Sequence, residues 1–278
     1  MHEELKQGTY RHGAYESFYV CDPKRRHIHK PSVRDRLLHH AVVRVIEPMF
    51  ERQFIFDSWS CRKEKGTHHA VDRFQRFAWK LSRNDTRTVW VLKLDIRKFF
   101  ASVNQGILLA ILSRRIVDDR LTRLFEEIVH SFPAGIPLGN LTSQLFANVY
   151  LNELDQFVKH KLRVYDYLRY CDDFVLLHHD PDMLIRALPR IRRFLANRLR
   201  LELHPQKIIL KRYHQGVDFL GFVCFPHYRI LRTTTKQRML KKVCYKNLTS
   251  YMGLLRHARN GCLTRRIEAM IKFDVLSS

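Results

Sequence analysis

The sequence predicts an α+β fold in which helices cover one face of a mostly antiparallel sheet. Three observations predict it. Short β-branched and aromatic runs deliver acidic residues at their ends. Amphipathic segments at helical spacing lie between those runs, and the elements follow the order β, αα, α, ββ, α, ββ. No internal repeat, low-complexity tract or Gly/Ser linker divides the 278 residues, so any subdomains are interleaved.

Taken in order, residues 32–54 read as a long helix. Ser32 supplies the N-cap, Asp35 follows three residues on, and apolar positions then recur at helical spacing. Residues 89–96 (VWVLKLDI) suit a buried strand that delivers Asp95 at its C-terminal end. Residues 105–116 and 119–130 read as helices, as does 143–162 after the Pro/Gly stretch 133–139. Residues 165–170 and 174–178 flank Cys171-Asp172-Asp173, which predicts a hairpin with the acids at its tip. A helix then starts with Asp180 as N-cap and Pro181 at the first position, and Leu184, Leu188, Ile191, Leu195 and Leu199 form its core stripe. Residues 207–212 and 217–225 read as a second hairpin, and 235–257 as a basic helix.

The formal net charge of +23, from 50 Lys and Arg against 27 Asp and Glu, implies a polyanionic partner. Residues 226–278 alone hold 12 Lys and Arg against 2 Asp and Glu. These basic residues do not form one face of an amphipathic anchor, so nucleic acid fits and a membrane does not. There is no run of 18 uncharged apolar residues, and the first ten residues lack the apolar core of a secretory signal. A cytoplasmic protein with no membrane partner is expected. The six cysteines are scattered, with no Cys-x-x-Cys pair, and read as reduced thiols. The His-His pairs at 39–40, 68–69 and 178–179 have no Cys or carboxylate at ligand spacing, so no zinc site is expected. Phe18, Tyr19, Trp59, Trp79 and Trp90 read as core and subdomain contacts.

Two adjacent carboxylates at a hairpin tip repel one another, and a bound cation resolves the conflict. A sheet that sets this hairpin beside the strand ending at Asp95 brings three acids together. Such hard oxygen ligands select Mg²⁺, and two ions about 3.5–4 Å apart can serve an in-line phosphoryl displacement. Alone, an Asp-Asp pair reads better as a solvated turn.

Further motifs decide between these readings. Tyr170-Cys171-Asp172-Asp173 resembles the Tyr-x-Asp-Asp motif of reverse transcriptases, and residues 95–100 (DIRKFF) resemble their first catalytic motif. Residues 135–144 (GIPLGNLTSQ) resemble the nucleotide- and template-binding motif, His204-Pro205-Gln206-Lys207 the motif whose lysine approaches pyrophosphate, and Phe219-Leu220-Gly221 the primer grip. Residues 10–36, with Asp22-Pro23-Lys24-Arg25-Arg26, resemble the fingers motif that meets the incoming triphosphate. Ordered agreement of this many motifs over residues 10–225 is far more specific than any one of them.

The resemblance implies a right-hand polymerase: fingers to residue 88, palm 89–225 with a fingers-type insertion near 114–138, and a short basic thumb over 226–278. It implies RNA-directed DNA synthesis with two Mg²⁺, or Mn²⁺ in their place, held by Asp95, Ile96, Asp172 and Asp173. Lys207 is implied as catalytic acid. Lys24, Arg26, Ile96, Phe99, Phe100, Leu138, Gly139 and Gln144 are implied to bind the deoxynucleotide, with Phe100 excluding the 2′-hydroxyl. Arg62, Lys63, Lys65, Tyr170, Phe219, Leu220 and Gly221 are implied to meet primer or template. The 53 residues of 226–278 are expected to hold neither an RNase H nor an endonuclease domain. Residues 57–68 and 138–144 look like the diversity-generating retroelement branch, which implies misinsertion opposite adenine and a small basic accessory protein. The alternatives are a retron, group II-like or phage-defence lineage, or an idle RNA-binding scaffold. The RNA copied, the priming mode and the oligomeric state stay open.

Overall fold

The computed structural model describes every residue except 22, 23, 260, 262, 268 and 270–278. Helix α1 (His2–Gln7) precedes an exposed antiparallel hairpin of β1 (Glu16–Val20) and β2 (Arg26–Lys30). Helix α2 (Val33–Glu51) starts at the predicted cap: the Asp35 N–H donates to Ser32 Oγ (3.1 Å), whose hydroxyl donates back to Asp35 Oδ2 (2.7 Å). Asp35 also accepts from Tyr10 Oη (2.7 Å) and the Gly13 N–H (3.1 Å), so the cap anchors the N-terminal segment. Helix α3 (Thr67–Ser82) buries Ala70, Val71, Phe74, Phe77 and Ala78. It is not among the predicted elements, although its buried positions recur at helical spacing.

Strand β3 (Trp90–Asp95) is followed by α4 (Phe99–Ser102), α5 (Gln105–Ser113), α6 (Asp119–His130) and α7 (Leu141–Gln156). The predicted helix 143–162 changes character after Gln156, where Phe157–Lys161 form a π-helical turn. Then come β4 (Tyr167–Tyr170), β5 (Asp173–His178), α8 (Pro181–Leu199) and β6 (Ile209–Arg212). The order β4-β5-β3-β6, all antiparallel, makes a sheet with β3 inside it.

Side chains alternate across a strand, so β3 and β5 each divide between two cores. Leu92, Leu94, Ile96, Phe174 and Leu176 pack with α2 and with α5 through α8. Val91, Val175 and Leu177 pack with α3 and the C-terminal elements. This corrects the expectation that helices cover one face only. The unbroken apolar run at 89–92 fits a strand buried on both sides.

The predicted second hairpin is also corrected. Strand β6 pairs with β3, whereas β7 (Val217–Phe219), β8 (Phe222–Cys224) and β9 (Arg229–Leu231) make a separate three-stranded sheet. Leu220 (φ 48°) and Gly221 (φ 89°) join β7 to β8 in the left-handed pair that a tight two-residue hairpin turn needs. The basic helix predicted at 235–257 is two helices, α9 (Thr233–Lys242) and α10 (Leu248–Arg256). Val243 turns extended between them, and Asn247 Oδ1 accepts from the Cys244 N–H (2.9 Å) to start the next turn. Of the aromatics assigned to the core, Trp59 is buried and Trp90 half-buried, but Phe18, Tyr19 and Trp79 are exposed. Among the described residues, no helix is long and apolar enough to cross a membrane.

Candidate active site

The register of β3 on β5 sets Asp95 directly opposite Asp173. Tyr170 pairs with Asp173, leaving Cys171-Asp172 as a two-residue turn with Cys171 in the left-handed region (φ 55°). The Ile96 N–H donates to the Asp172 carbonyl (3.1 Å), which fixes the turn beside the end of β3. Asp95 and the distant Asp172-Asp173 pair therefore share one end of one sheet. By alternation, Asp95 and Asp173 point to the same side as Val91 and Val175.

A buried charge supports the turn from below. Arg169, with no exposed surface, makes a bidentate pair with Asp155 (2.8 and 2.7 Å) and donates to the Cys171 carbonyl (3.2 Å) and Ser58 Oγ (3.0 Å). Tyr167 Oη donates to the same carboxylate (2.7 Å). Burial opposes the charge on Arg169, but Asp155 outweighs it and raises its pKa.

Each of the paired acids also meets a lysine. Lys207 Nζ lies 2.9 Å from both oxygens of Asp95, and Lys93 Nζ lies 3.4 Å from Asp173 Oδ2 while donating to the Asp218 carbonyl (2.9 Å). Burial pushes the Asp173 carboxyl up to about 6; Lys93 opposes this and Asp95 and Asp172 add to it. Burial, then Asp95, raises Asp172 as well. Sequence reasoning passed over Lys93 and Arg169. The available signal for Lys93 was its place two residues before Asp95, hence on the same strand face.

A divalent cation fits this donor set. The ligands are hard carboxylate oxygens whose mutual repulsion a cation would relieve, and Asp173 Oδ1 is buried with no hydrogen-bond partner. Among the described residues, no three His, Cys, Asp or Glu side chains converge as a ready-made cage. The lysines on Asp95 and Asp173 occupy the carboxylates instead.

The 135–139 loop is drawn against the first motif by its glycines. Gly135 (φ 69°) lies so near the Phe100 carbonyl that a Cβ would come within 2.2 Å of it, and that carbonyl accepts from the Ile136 N–H (2.8 Å). At the other end, a Cβ on Gly139 (φ 117°) would meet Ile28 Cγ2 at 2.8 Å, and the His29 N–H donates to the Leu138 carbonyl (3.0 Å). Leu138 is thus held against the hairpin β1–β2, in a loop whose other end is pinned to Phe100. Phe100, Leu138 and Gln144 are half-buried, Gly139, Lys24 and Arg26 exposed, and Ile96 buried. Asp22 and Pro23 of the fingers motif lie outside the described residues. Tyr170 Oη accepts from Thr67 Oγ1 (3.0 Å), and Leu220 and Gly221 form the β7–β8 turn.

Several of the residues expected to meet nucleotide, primer or template have partners within the fold. The Arg62 side chain is 5% exposed, clamped by Glu51 and by the carbonyls of Ile55 and Ser58, so it braces the fold. Lys65 sits over the rings of Phe56 (3.5 Å) and Trp59 (4.2 Å) and donates to the Phe56 carbonyl, while Lys63 is exposed. Phe99 is core, against Phe100 and Tyr150, and Phe219 is core against Phe74 (ring centroids 5.2 Å). Both aromatics fill space that the sequence motif could not distinguish from a ligand surface.

The chain is similar to several known proteins. Residues 21–224 match the family described as "Reverse transcriptase (RNA-dependent DNA polymerase)". Protein YkfC of Escherichia coli is 27% identical over 87% of this chain and 73% of its own length. The group II intron-encoded protein LtrA of Lactococcus lactis is 22% identical over 91% of this chain, which spans about half (53%) of LtrA. The structure of telomerase from Candida tropicalis with a fragment of telomeric RNA superposes with a TM-score of 0.65 at 12% identity, covering 87% of this chain and 48% of that one.

Proposed function

The chain belongs to the reverse transcriptase (RNA-dependent DNA polymerase) family and has its right-hand α+β fold, and from that premise we propose that it copies an RNA template into cDNA. The reaction adds deoxynucleotides to the 3′-hydroxyl of a DNA or RNA primer. The observation that carries this reading is the cross-strand pair of Asp95 and Asp173 with Asp172 on the adjoining turn. Two Mg²⁺, or Mn²⁺ in their place, held by Asp95, Asp172, Asp173 and the Ile96 carbonyl, would activate the primer hydroxyl and neutralise the departing pyrophosphate.

The chain's own residues bind and position the substrates. Lys207, freed from Asp95 when the site fills, donates a proton toward the pyrophosphate. Phe100 crowds the 2′-position of the sugar, and Lys24 and Arg26 on the exposed hairpin meet the triphosphate. Tyr170, Leu220 and Gly221 flank the primer end. Fingers extend to residue 88, palm spans 89–225 with its insertion near 114–138, and the thumb begins at 226. We place the reaction in the cytoplasm.

The element is a diversity-generating retroelement working with a small basic accessory protein; Leu138 and Gln144 support this. A glutamine amide at 138 could bond sugar and base, whereas leucine only packs, so checking opposite adenine is loose. A group II-like lineage is the second reading, favoured by the similarity to LtrA. Sequencing the cDNA that the purified chain makes on a defined RNA tests these claims together. DNA with errors concentrated at adenines is expected. Faithful copying would favour the group II-like lineage, and absence of product would refute polymerase function.

A further inference from the structure

The outer face of α8 carries Arg186, Arg190, Arg192, Arg193 and Arg198, with Arg200 at its C-cap, all exposed. Its inner stripe, Leu184, Ala187, Ile191, Leu195 and Leu199, is buried with Leu94 and Phe174. Asp95 and Asp173 point to the opposite side of that sheet, with Val91 and Val175. The arginine face is therefore turned away from the carboxylates and cannot be reached by a primer end seated there.

All six basic residues are arginine, whereas α9 mixes Lys236, Arg238, Lys241 and Lys242. A face that merely needs solvation has no reason to exclude lysine, but a guanidinium binds phosphate oxygens bidentately. At about 100° per residue, Arg186, Arg190 and Arg193 fall on one narrow stripe, and Arg200 at the C-cap continues the row past the end of the helix. Its length is roughly 20 Å at about 1.5 Å per residue. Among the described residues, only Arg186 of the six has a carboxylate within ion-pair distance, Asp180 at 3.7 Å. Phe157 stacks on Phe194 (4.2 Å), which holds the π-helical turn with exposed His160 and Lys161 against the same helix.

We propose that this face is a second RNA-binding surface that grips the phosphate backbone of a folded RNA stem while another RNA segment occupies the carboxylate side. A regular row of guanidinium groups suits the regular phosphates of a duplex better than the irregular charges of an acidic protein. The inference rests on the proposed function only for the choice of RNA, and its test needs no catalysis.

The full chain is first saturated with a short RNA template annealed to a chain-terminated DNA primer, and a labelled RNA hairpin is then added. The hairpin should bind without displacing the template–primer. Combining Arg186→Gln, Arg190→Gln and Arg193→Gln should weaken hairpin binding by about tenfold or more. The slope of log affinity against log salt should become shallower by about one for each phosphate that the variant no longer neutralises. Template–primer affinity and circular dichroism should not change, and the matching Arg→Lys triple variant should bind the hairpin more tightly than the glutamine variant but more weakly than wild type, because it keeps the charge and loses the bidentate fork. One-for-one displacement would overturn the proposal. So would an unchanged affinity and salt slope in the glutamine variant, the result expected if the face meets an acidic protein.

Discussion

Lys207 and Asp95 are 112 positions apart in the chain, yet the lysine ammonium lies 2.9 Å from both carboxylate oxygens. The juxtaposition is built by the backbone: the His204 N–H donates to the Asp95 carbonyl (2.8 Å), and the turn Pro205–Lys207 then swings the side chain over β3. An ammonium in that place neutralises Asp95 and competes with any cation for its oxygens. Lys207→Met should therefore lower the Mg²⁺ concentration for half-saturation by about threefold to tenfold in calorimetric titration. The same variant should slow primer extension by about 10²–10⁴-fold, the loss expected of a general acid. Unchanged Mg²⁺ binding would show that the lysine is no competitor.

Arg169 and Asp155 form a buried pair whose partners cannot be removed singly. Arg169→Met strands a charged carboxylate in the core and should cost about 3–5 kcal/mol in urea unfolding. Arg169→Met with Asp155→Leu should recover most of that stability. Extension by the double variant should stay below wild type, because the Cys171 carbonyl no longer has its donor. A double variant as unstable as the single one would argue against charge as the cause.

His39 provides a pH signature. It is buried against His12 and Thr142, and burial, reinforced by His12 and His40 against the pull of Asp35, holds its pKa at about 4. The folded value lies below the unfolded one. The stabilisation is thus complete above about 6.5 and is lost as pH falls toward 4, by roughly 3 kcal/mol in total. Asp173 shifts the other way over part of the same window. The informative quantity is the difference between wild-type and His39→Gln stability curves, which should fall with pH from 6.5 to 4. A flat difference would exclude His39 as the origin.

Leu138 is fixed by the His29–Leu138 backbone bond, so a longer polar side chain there starts from a defined place. Leu138→Gln should reduce misinsertion opposite adenine in sequenced cDNA while leaving errors at other bases near the wild-type level. An unchanged error spectrum would remove Leu138 as a cause of infidelity.

What could be read in the sequence was local. The Ser32 and Asp180 caps, the stripe of α8 and the acidic hairpin follow from spacing that neighbouring residues set. The pairing of β6 with β3 rather than with β7 was not legible, since strand partners are chosen across the sheet and not along the chain. The same holds for Arg62 and Phe219. A basic residue in a polar stretch and a phenylalanine before Leu-Gly carry no local sign of being clamped by Glu51 or packed on Phe74. At the site, the three acids and Lys207 were legible from their motifs, whereas Lys93 and the pairing of Lys207 with Asp95 emerged only from the fold.

The most direct test of the carboxylate site is primer extension on a defined RNA with Mg²⁺, read beside RNA binding, for Asp95→Asn and Asp172→Asn. Synthesis should fall below detection in both variants while affinity for the template–primer stays within about threefold of wild type. Extension that survives in either variant at near wild-type rate would contradict the assignment of these acids to the chemistry.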